Sequence, residues 1–300
     1  MLALDTYEAV YGKIFHEDNM DGRYTDEQTW EKYGLPTRRG PGDPVKQGQL
    51  KPSFSKRYVP VTYGLADMIT EEDWSDDQYG VLARALPSKG GALAEAHAVL
   101  KERVAADFLR LLCFAPEGNN VPGMPDGRPL FSSLHPVSQA NTGTTYSNRP
   151  SVDVDLSIAS YQQGASNLRQ QFAPNSVTII NNEPRALIIN PNLRYVATQI
   201  LRGDWERGTA DRNMNVIKDD NIKLIEWAYF RTNGTNGAAT NAFNAWILQG
   251  KTHYLRFFNR EEVKIKTDYN IAVLAYIFVS YCRFVVGVSD ARGVYGSKGG

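Results

Sequence analysis

Three hundred residues with 42% hydrophobic side chains are enough to bury one large core or two of ordinary size, which places the chain in the soluble globular class. Lys plus Arg and Asp plus Glu both number 33, so the overall charge offers no counterion-release drive and tight nucleic-acid binding is not expected. The two cysteines, Cys113 and Cys282, lie in apolar contexts. They read as small buried hydrophobes in a reducing compartment rather than a disulfide framework.

Residues 1–25 begin with an amphipathic stretch, including Leu4, Tyr7, Tyr11, Ile14 and Phe15, and continue as a polar run. They read as a terminal arm, frayed or docked on another surface, with no basic and hydrophobic secretory signal. Residues 35–60, LPTRRGPGDPVKQGQLKPSFSKRYVP, are dense in proline, glycine and basic side chains and read as a long hairpin-like loop. Loops of that length in compact domains are usually functional or disordered. Arg38, Arg39, Lys46, Lys51, Lys56 and Arg57 could meet phosphate, but few aromatics interleave with them. A solvated or subunit-contacting loop fits better.

Residues 61–69 are apolar and β-prone, and Thr70 stands three residues before Asp73, a capping-box spacing that predicts a helix start. Pro87 to Gly91 is expected to break that helix, because proline cannot continue the backbone ladder. A second helix follows, with Leu93, Ala96, Leu100, Val104, Phe108 and Leu111 as its buried stripe and Lys101, Glu102 and Arg103 on other faces. Over 91–115 it would form a rod of roughly 36 Å.

Residues 116–151 are a turn-rich connector. Leu156 to Phe172 reads as a helix, Val177–Ile180 and Ala186–Ile189 as short strands, and Pro191 as the opening of a helix to Leu201. Ile222–Phe230 and Ala245–Leu248 are expected to pair around a tip whose Asn-Gly steps, 233–234 and 236–237, favour positive φ. Tyr254–Phe258, Val263–Lys266 and Tyr269–Val288 complete the chain as strands. The apolar run Ile271–Cys282 is too short to cross about 30 Å of hydrocarbon as a helix without burying Arg283. Its Ile, Val, Phe and Tyr content predicts a strand covered on both faces, and no membrane partner. The class that emerges is α+β.

Catalytic and cofactor motifs are missing from this reading. No phosphate-binding glycine loop precedes a helix, and His16, His97, His135 and His253 have no metal-ligand spacing. No cofactor is expected. Ser132, Ser133 and His135, with Asp126 nearby, could be imagined as a hydrolase nucleophile and base, but no G-x-S-x-G elbow accompanies them. His97 reads as a packing residue.

Four blocks in order carry a resemblance: TYGLADMITEEDWSDDQYGVLARAL (62–86), GGALAEAHAVLKERVAADFLRLL (90–112), PDGRPLFSSLHPV (125–137), and GVSDARG (287–293) followed by YGSKG (295–299). Over about residues 50–300 the chain resembles a tailed-phage major capsid protein of the Hong Kong 97-type fold, and within it the Mu-like major head subunit family. The resemblance implies an N-terminal arm at 1–25 and an extended loop at 26–60. It implies a peripheral domain from 61–151 and 250–288 carrying a spine helix at 91–115, and an axial domain from 152–249 and 289–300. It implies no enzyme but a structural subunit that self-assembles as hexamers and pentamers into an icosahedral virion shell enclosing the DNA genome. The loop cations Arg38, Arg39, Lys46, Lys51, Lys56 and Arg57 would then serve assembly. The implied partners are further copies, scaffolding and portal proteins, a decoration protein, and packaged DNA through weak non-specific contact, with assembly in the host cytoplasm. About 25 residues precede the loop, which leads us to expect a separate scaffold rather than a fused one. An encapsulin-like nanocompartment shell shares the fold and is the alternative.

Overall fold

The computed structural model describes residues 9–77, 79–113, 123–205, 214–230 and 244–299, with 81–89 described as backbone. They fall into two compact units, one drawn from 1–25, 58–105 and 256–286, the other from 26–57, 106–255 and 287–300. The elements in order are α1 (Tyr11–Ile14), β1 (His16–Asn19), β2 (Thr25–Trp30), β3 (Pro52–Tyr58), β4 (Val61–Thr70), α2 (Glu71–Ser75) and α3 (Val81–Cys113). There follow β5 (His135–Pro136), β6 (Thr145–Tyr146), α4 (Ile158–Gln170), β7 (Pro184–Ile189), α5 (Arg194–Arg202) and β8 (Lys223–Glu226). The last are β9 (Trp246–Gly250), β10 (Leu255–Asn270), β11 (Ala275–Val288) and β12 (Val294–Ser297).

In the first unit a four-stranded sheet runs β1-β10-β11-β4. β1 lies parallel to β10 and β4 antiparallel to β11, from Ala275 opposite Thr70 to Phe284 opposite Val61. Residues 11–19 are therefore docked: Ile14 and Phe15 are buried, and β1 completes the sheet, while Leu4 and Tyr7 lie outside the described residues. An aromatic stack forms the core, with Phe257 against Tyr11 at 4.6 Å and Phe284 at 5.2 Å, and Tyr63 on Phe284 at 4.8 Å. Thr70 caps α2 as its spacing predicts, its hydroxyl accepting from the Asp73 N–H.

α3 departs from expectation twice. Pro87 to Gly91 does not break it; the helix is continuous over 33 residues. A proline removes one N–H donor, while Gly90 and Gly91, three and four residues further on, keep a negative φ and so continue the ladder. The buried stripe also differs. Leu93, His97, Lys101, Glu102, Ala105, Leu109, Leu112 and Cys113 are buried, whereas Ala96 and Leu111 are exposed and Leu100, Val104 and Phe108 half-buried. The polar members of that stripe are satisfied internally. The Glu102 carboxylate accepts the Val10 and Tyr11 N–H groups that open α1, and Lys101 Nζ meets Glu262 at 2.7 Å. The Ser280 hydroxyl donates to the Leu65 carbonyl, so it accepts from His97 Nε2–H at 2.9 Å, leaving Nδ1 to accept from the Cys282 thiol at 3.3 Å. Burial pushes the Cys282 thiol up, which keeps its donor proton in place. His97 is thus a packing residue.

Ile271–Cys282 is not one strand buried on both faces. Ile271 to Leu274 form the turn joining β10 to β11, with Ile271, Val273 and Leu274 exposed. The strand starts at Ala275. Asn270 closes the turn by accepting the Ala272 N–H, and Leu274 takes φ +49°. The predicted break between Val263–Lys266 and Tyr269 is likewise absent, β10 being one strand of 16 residues.

The second unit holds a sheet in the order β12-β9-β7-β8. β7 is antiparallel to β9 and parallel to β8. The expected pairing of Ile222–Phe230 with Ala245–Leu248 is therefore overturned: β7 lies between them, its Ala186–Ile189 run buried as a strand covered on both faces requires. The tip between them, with both Asn-Gly steps, lies outside the described residues. Val177–Ile180 forms no strand, only a bridge from Ile179 to Phe172. α4 begins at a capping box between Ser157 and Ser160, and its Gly164 lets Tyr295 approach so closely that a Cβ would sit 2.7 Å from the ring. Leu168, Leu187, Ile189, Ala197, Trp246 and Leu248 share that core.

Candidate assembly surfaces

The blocks PDGRPLFSSLHPV and GVSDARG, far apart in the chain, converge on one buried polar joint of the second unit. Arg292, 2% exposed, donates Nε to the Phe172 carbonyl at 2.8 Å, Nη2 to the Val137 carbonyl at 2.6 Å and Nη1 to Asp290 at 2.8 Å. Its guanidinium lies 4.6 Å from the centre of the Tyr146 ring, whose hydroxyl donates to Asp290. Burial alone would lower the Arg292 pKa, but Tyr146 and Asp290 raise it, so the cation is held. Burial, and next the Asp290 charge, push the Tyr146 phenol well up. Such a cation is tolerable in a protein interior only because every edge of its fork has a partner.

His135 stacks on the other side of this joint, 5.2 Å from Tyr146. Its Nδ1 meets Asp126 at 2.6 Å and its Nε2 the Leu130 carbonyl at 3.1 Å. Both ring nitrogens are therefore engaged with acceptors. Ser132 is buried, its hydroxyl accepting the Leu134 N–H while its own N–H donates to Asn148. Ser133 is exposed. A general base needs a ring nitrogen turned to the nucleophile hydroxyl, and His135 turns both elsewhere. Ser132 and His135 thus belong to a structural joint, with Ser133 exposed beside it, and the hydrolase alternative is not favoured. Asn148, which accepts the Ser132 N–H and donates to the Leu130 and Ala291 carbonyls, is the joint's missed member, since no spacing rule links 148 to 291. Among the described residues no group of three His, Cys, Asp or Glu could hold a metal ion, and no helix is long and apolar enough to cross a membrane.

The loop cations separate into two sets. Arg38, Arg39, Lys46 and Lys51 are exposed in the segment between β2 and β3. Lys56 and Arg57 instead lie on β3, where Lys56 is half-buried and Arg57 grips Asp26 of β2 through two contacts of 2.7 Å. That grip holds the Asp26 carboxyl below its ordinary value. Glu31 N–H to the Lys51 carbonyl closes the paired strands, and Asn175 donates to the Tyr33 carbonyl at the base of the loop. Beyond it Leu35 and Val45 are 70% and 71% exposed. Single exposed apolar residues are ordinary, but this loop sets several on one extended segment.

Comparison with known proteins gives these surfaces their setting. The fold is that of Hong Kong 97-type phage capsid subunits. The chain is similar to the capsid of Cyanophage P-SCSP1u, with a TM-score of 0.62 at 11% identity over 99% of this chain and 89% of that one. The mature capsid of bacteriophage PhiM1 gives 0.60 at 11% identity, over 97% and 86% of the two chains. Mycobacterium phage Adephagia gives 0.52 at 12% identity, over 99% and 91%. At such identities the likeness defines the fold. Family membership comes from the sequence: a model of the phage capsid protein family matches residues 53–297, and the chain belongs to that family. No curated protein matches it in sequence.

Proposed function

We propose that this structural capsid protein is the major head subunit of a tailed phage, of the Mu-like kind, assembling as hexamers and pentamers into an icosahedral shell around packaged DNA. The observation that carries this reading is the extended β2–β3 hairpin, whose 31–51 segment leaves apolar and basic side chains in solvent. Burial against further copies would supply what the lone chain lacks, and contacts made head-to-tail close into rings when the rotation closes. In this reading residues 1–25 are the N-terminal arm and 26–60 the extended loop. Residues 61–151 with 250–288 form the peripheral domain around the spine helix, and 152–249 with 289–300 the axial domain. Scaffolding and portal proteins, a decoration protein and weakly held DNA complete the partner set. Assembly takes place in the host cytoplasm, and the subunit acts by packing rather than catalysis.

Negative-stain microscopy of the expressed chain, with and without co-expressed neighbouring proteins, tests the reading. Replacing 31–51 by a short turn is expected to leave a soluble, folded subunit that forms no shells. Normal shells from that deletion refute the role of the loop. Particles filled with an enzyme cargo instead of DNA point to the encapsulin-like alternative.

A further inference from the structure

One buried contact of α3 depends on the charge of its own side chain. His97, Lys101 and Glu102 are all buried on the helix, and each ties it to a different part of the first unit. Lys101 and Glu102 bring charges that have partners, Glu262 of β10 and the Val10 and Tyr11 N–H groups that open α1. His97 instead makes bonds that only the neutral ring can make. Its Nε2–H donates to Ser280 at 2.9 Å, the Ser280 hydroxyl donates to the Leu65 carbonyl at 3.1 Å, and Nδ1 accepts from the Cys282 thiol at 3.3 Å. The donors run in one direction, from Cys282 to Leu65, and together they pin α3 to β11 and β4.

A proton added at Nδ1 breaks this chain at its first link. The new N–H meets a thiol, whose sulfur is a weak acceptor, and the ring becomes a cation in the protein interior. The charged groups around it are engaged elsewhere or carry the same sign. On α3 itself, Lys101 stands one turn away, Glu102 is bonded to α1, and Glu95, two residues before His97, points from another face. On β10, Glu262 is bound to Lys101. On β11, burial keeps the Cys282 thiol protonated against the pull of the Lys101 charge, and Arg283 pairs with Glu261. On β4, the Asp67 carboxylate accepts the Met68 N–H. Tyr63 of β4 and Tyr11 of α1 are phenols that burial pushes up, so both stay neutral. His135 in the second unit has the opposite surroundings: both of its ring nitrogens meet acceptors, the Asp126 carboxylate among them, so a second N–H has a partner there.

We infer that His97 is an acid-release latch: protonation of its ring unseats α3 from β11 and β4 and loosens the first unit. The device belongs to the single chain, so it holds whatever the chain assembles into, and its test needs no shell.

Cys282, buried at the start of the donor chain, reports the latch, and in a Cys113→Ala chain it is the one remaining thiol. Its labelling by dipyridyl disulfide, a reagent that works in acid as well as at neutral pH, is measured at about pH 7.5 and about pH 5, either side of imidazole titration. Each rate is divided by that of the same chain unfolded in urea at the same pH. The ratio is expected to rise about tenfold on acidification, the lower end of what an unpartnered buried cation costs. His97→Gln keeps a donor for Ser280 and an acceptor for the thiol but takes no proton, so its ratio is expected to change by less than about twofold. His16, His135 and His253 are present in both chains, and their titration cancels in the comparison. A flat ratio in the parent, or an equal rise in both chains, overturns the latch. A second measurement uses the unmodified chain and stands even where the Gln variant does not fold. Hydrogen exchange at the His97 ring Cε1–H, followed by mass spectrometry, gives the pH at which that ring takes its proton, and labelling of the Cys282 peptide gives the pH at which the seat opens. The two midpoints are expected to agree within about half a pH unit, because proton uptake and opening are one linked event. Midpoints more than about one unit apart overturn the latch.

Discussion

At Gly293 the backbone takes φ +86°, and an added Cβ would lie 2.1 Å from the Thr252 carbonyl oxygen. The residue passes its N–H to Gln171 and receives that of Gly250 on its carbonyl, so it cannot shift without undoing both. Gly293→Ala is expected to cost about 3 kcal/mol, combining left-handed strain with displacement of a backbone neighbour. The control is Gly91→Ala, in the exposed face of α3 with nothing within 4 Å of its added methyl, which should instead stabilise by about 0.5–1 kcal/mol. Denaturant midpoints for the two variants check both signs. A sequence reader sees two glycines in polar surroundings and has no means of ranking them, since the difference lies in what stands beside them in space. The same is true of His135: its neighbours Ser132 and Ser133 are visible along the chain, while Asp126 and the Leu130 carbonyl become partners only through the folded path of the connector.

At the scale of elements, α3 shows where periodicity succeeds and where it misleads. Its position and helical character follow from spacing, but counting only apolar residues rotates the buried face, because His97, Lys101 and Glu102 are buried with partners drawn from β10, β11 and the start of α1. Leu109→Ala, at a fully buried position, is expected to destabilise by about 2–5 kcal/mol. Leu111→Ala, two residues on and 62% exposed, should stay within about 0.5 kcal/mol of the parent. Chemical denaturation of the pair separates the observed face from the one periodicity picks; equal losses would show that the helix is seated otherwise. In the β10–β11 hairpin the apolar run 271–274 outweighed the Asp268 and Asn270 turn signals beside it. Hydrophobicity alone does not say whether a run is covered by its own chain or left out at a tip.

For the whole molecule, buried phenols set an alkaline limit. Burial pushes the Tyr295 hydroxyl up to about 12, and burial followed by the Asp220 charge raises Tyr161, which donates to that carboxylate at 3.0 Å. Tyr11 is raised too, first by burial and then by the nearby glutamates. Each is raised above its unfolded value of 10.0, so the stability linked to keeping it neutral is complete below pH 10 and lost as pH rises through the folded value. Thermal melts taken upward from pH 9 should fall beyond about pH 10, and tyrosinate absorbance should show a late group of phenols that titrates together with loss of the fold. A pH-independent melting temperature over that range would contradict the burial of these rings.

What the sequence by itself determined was the α+β class, the long helix, the Thr70 cap, the hairpin loop with its cations, and membership of the phage capsid family in the order of four blocks. Those depend on local spacing, capping chemistry and chain order, which are written along one dimension. Only the tertiary structure decided which face of α3 is buried, that β7 lies between β8 and β9, that Ile271–Leu274 is a turn, and that His135 belongs to a buried joint around Arg292. Each of those depends on which distant residue arrives to cover an apolar surface or satisfy a polar atom, and that partner is chosen by the packing of the whole chain.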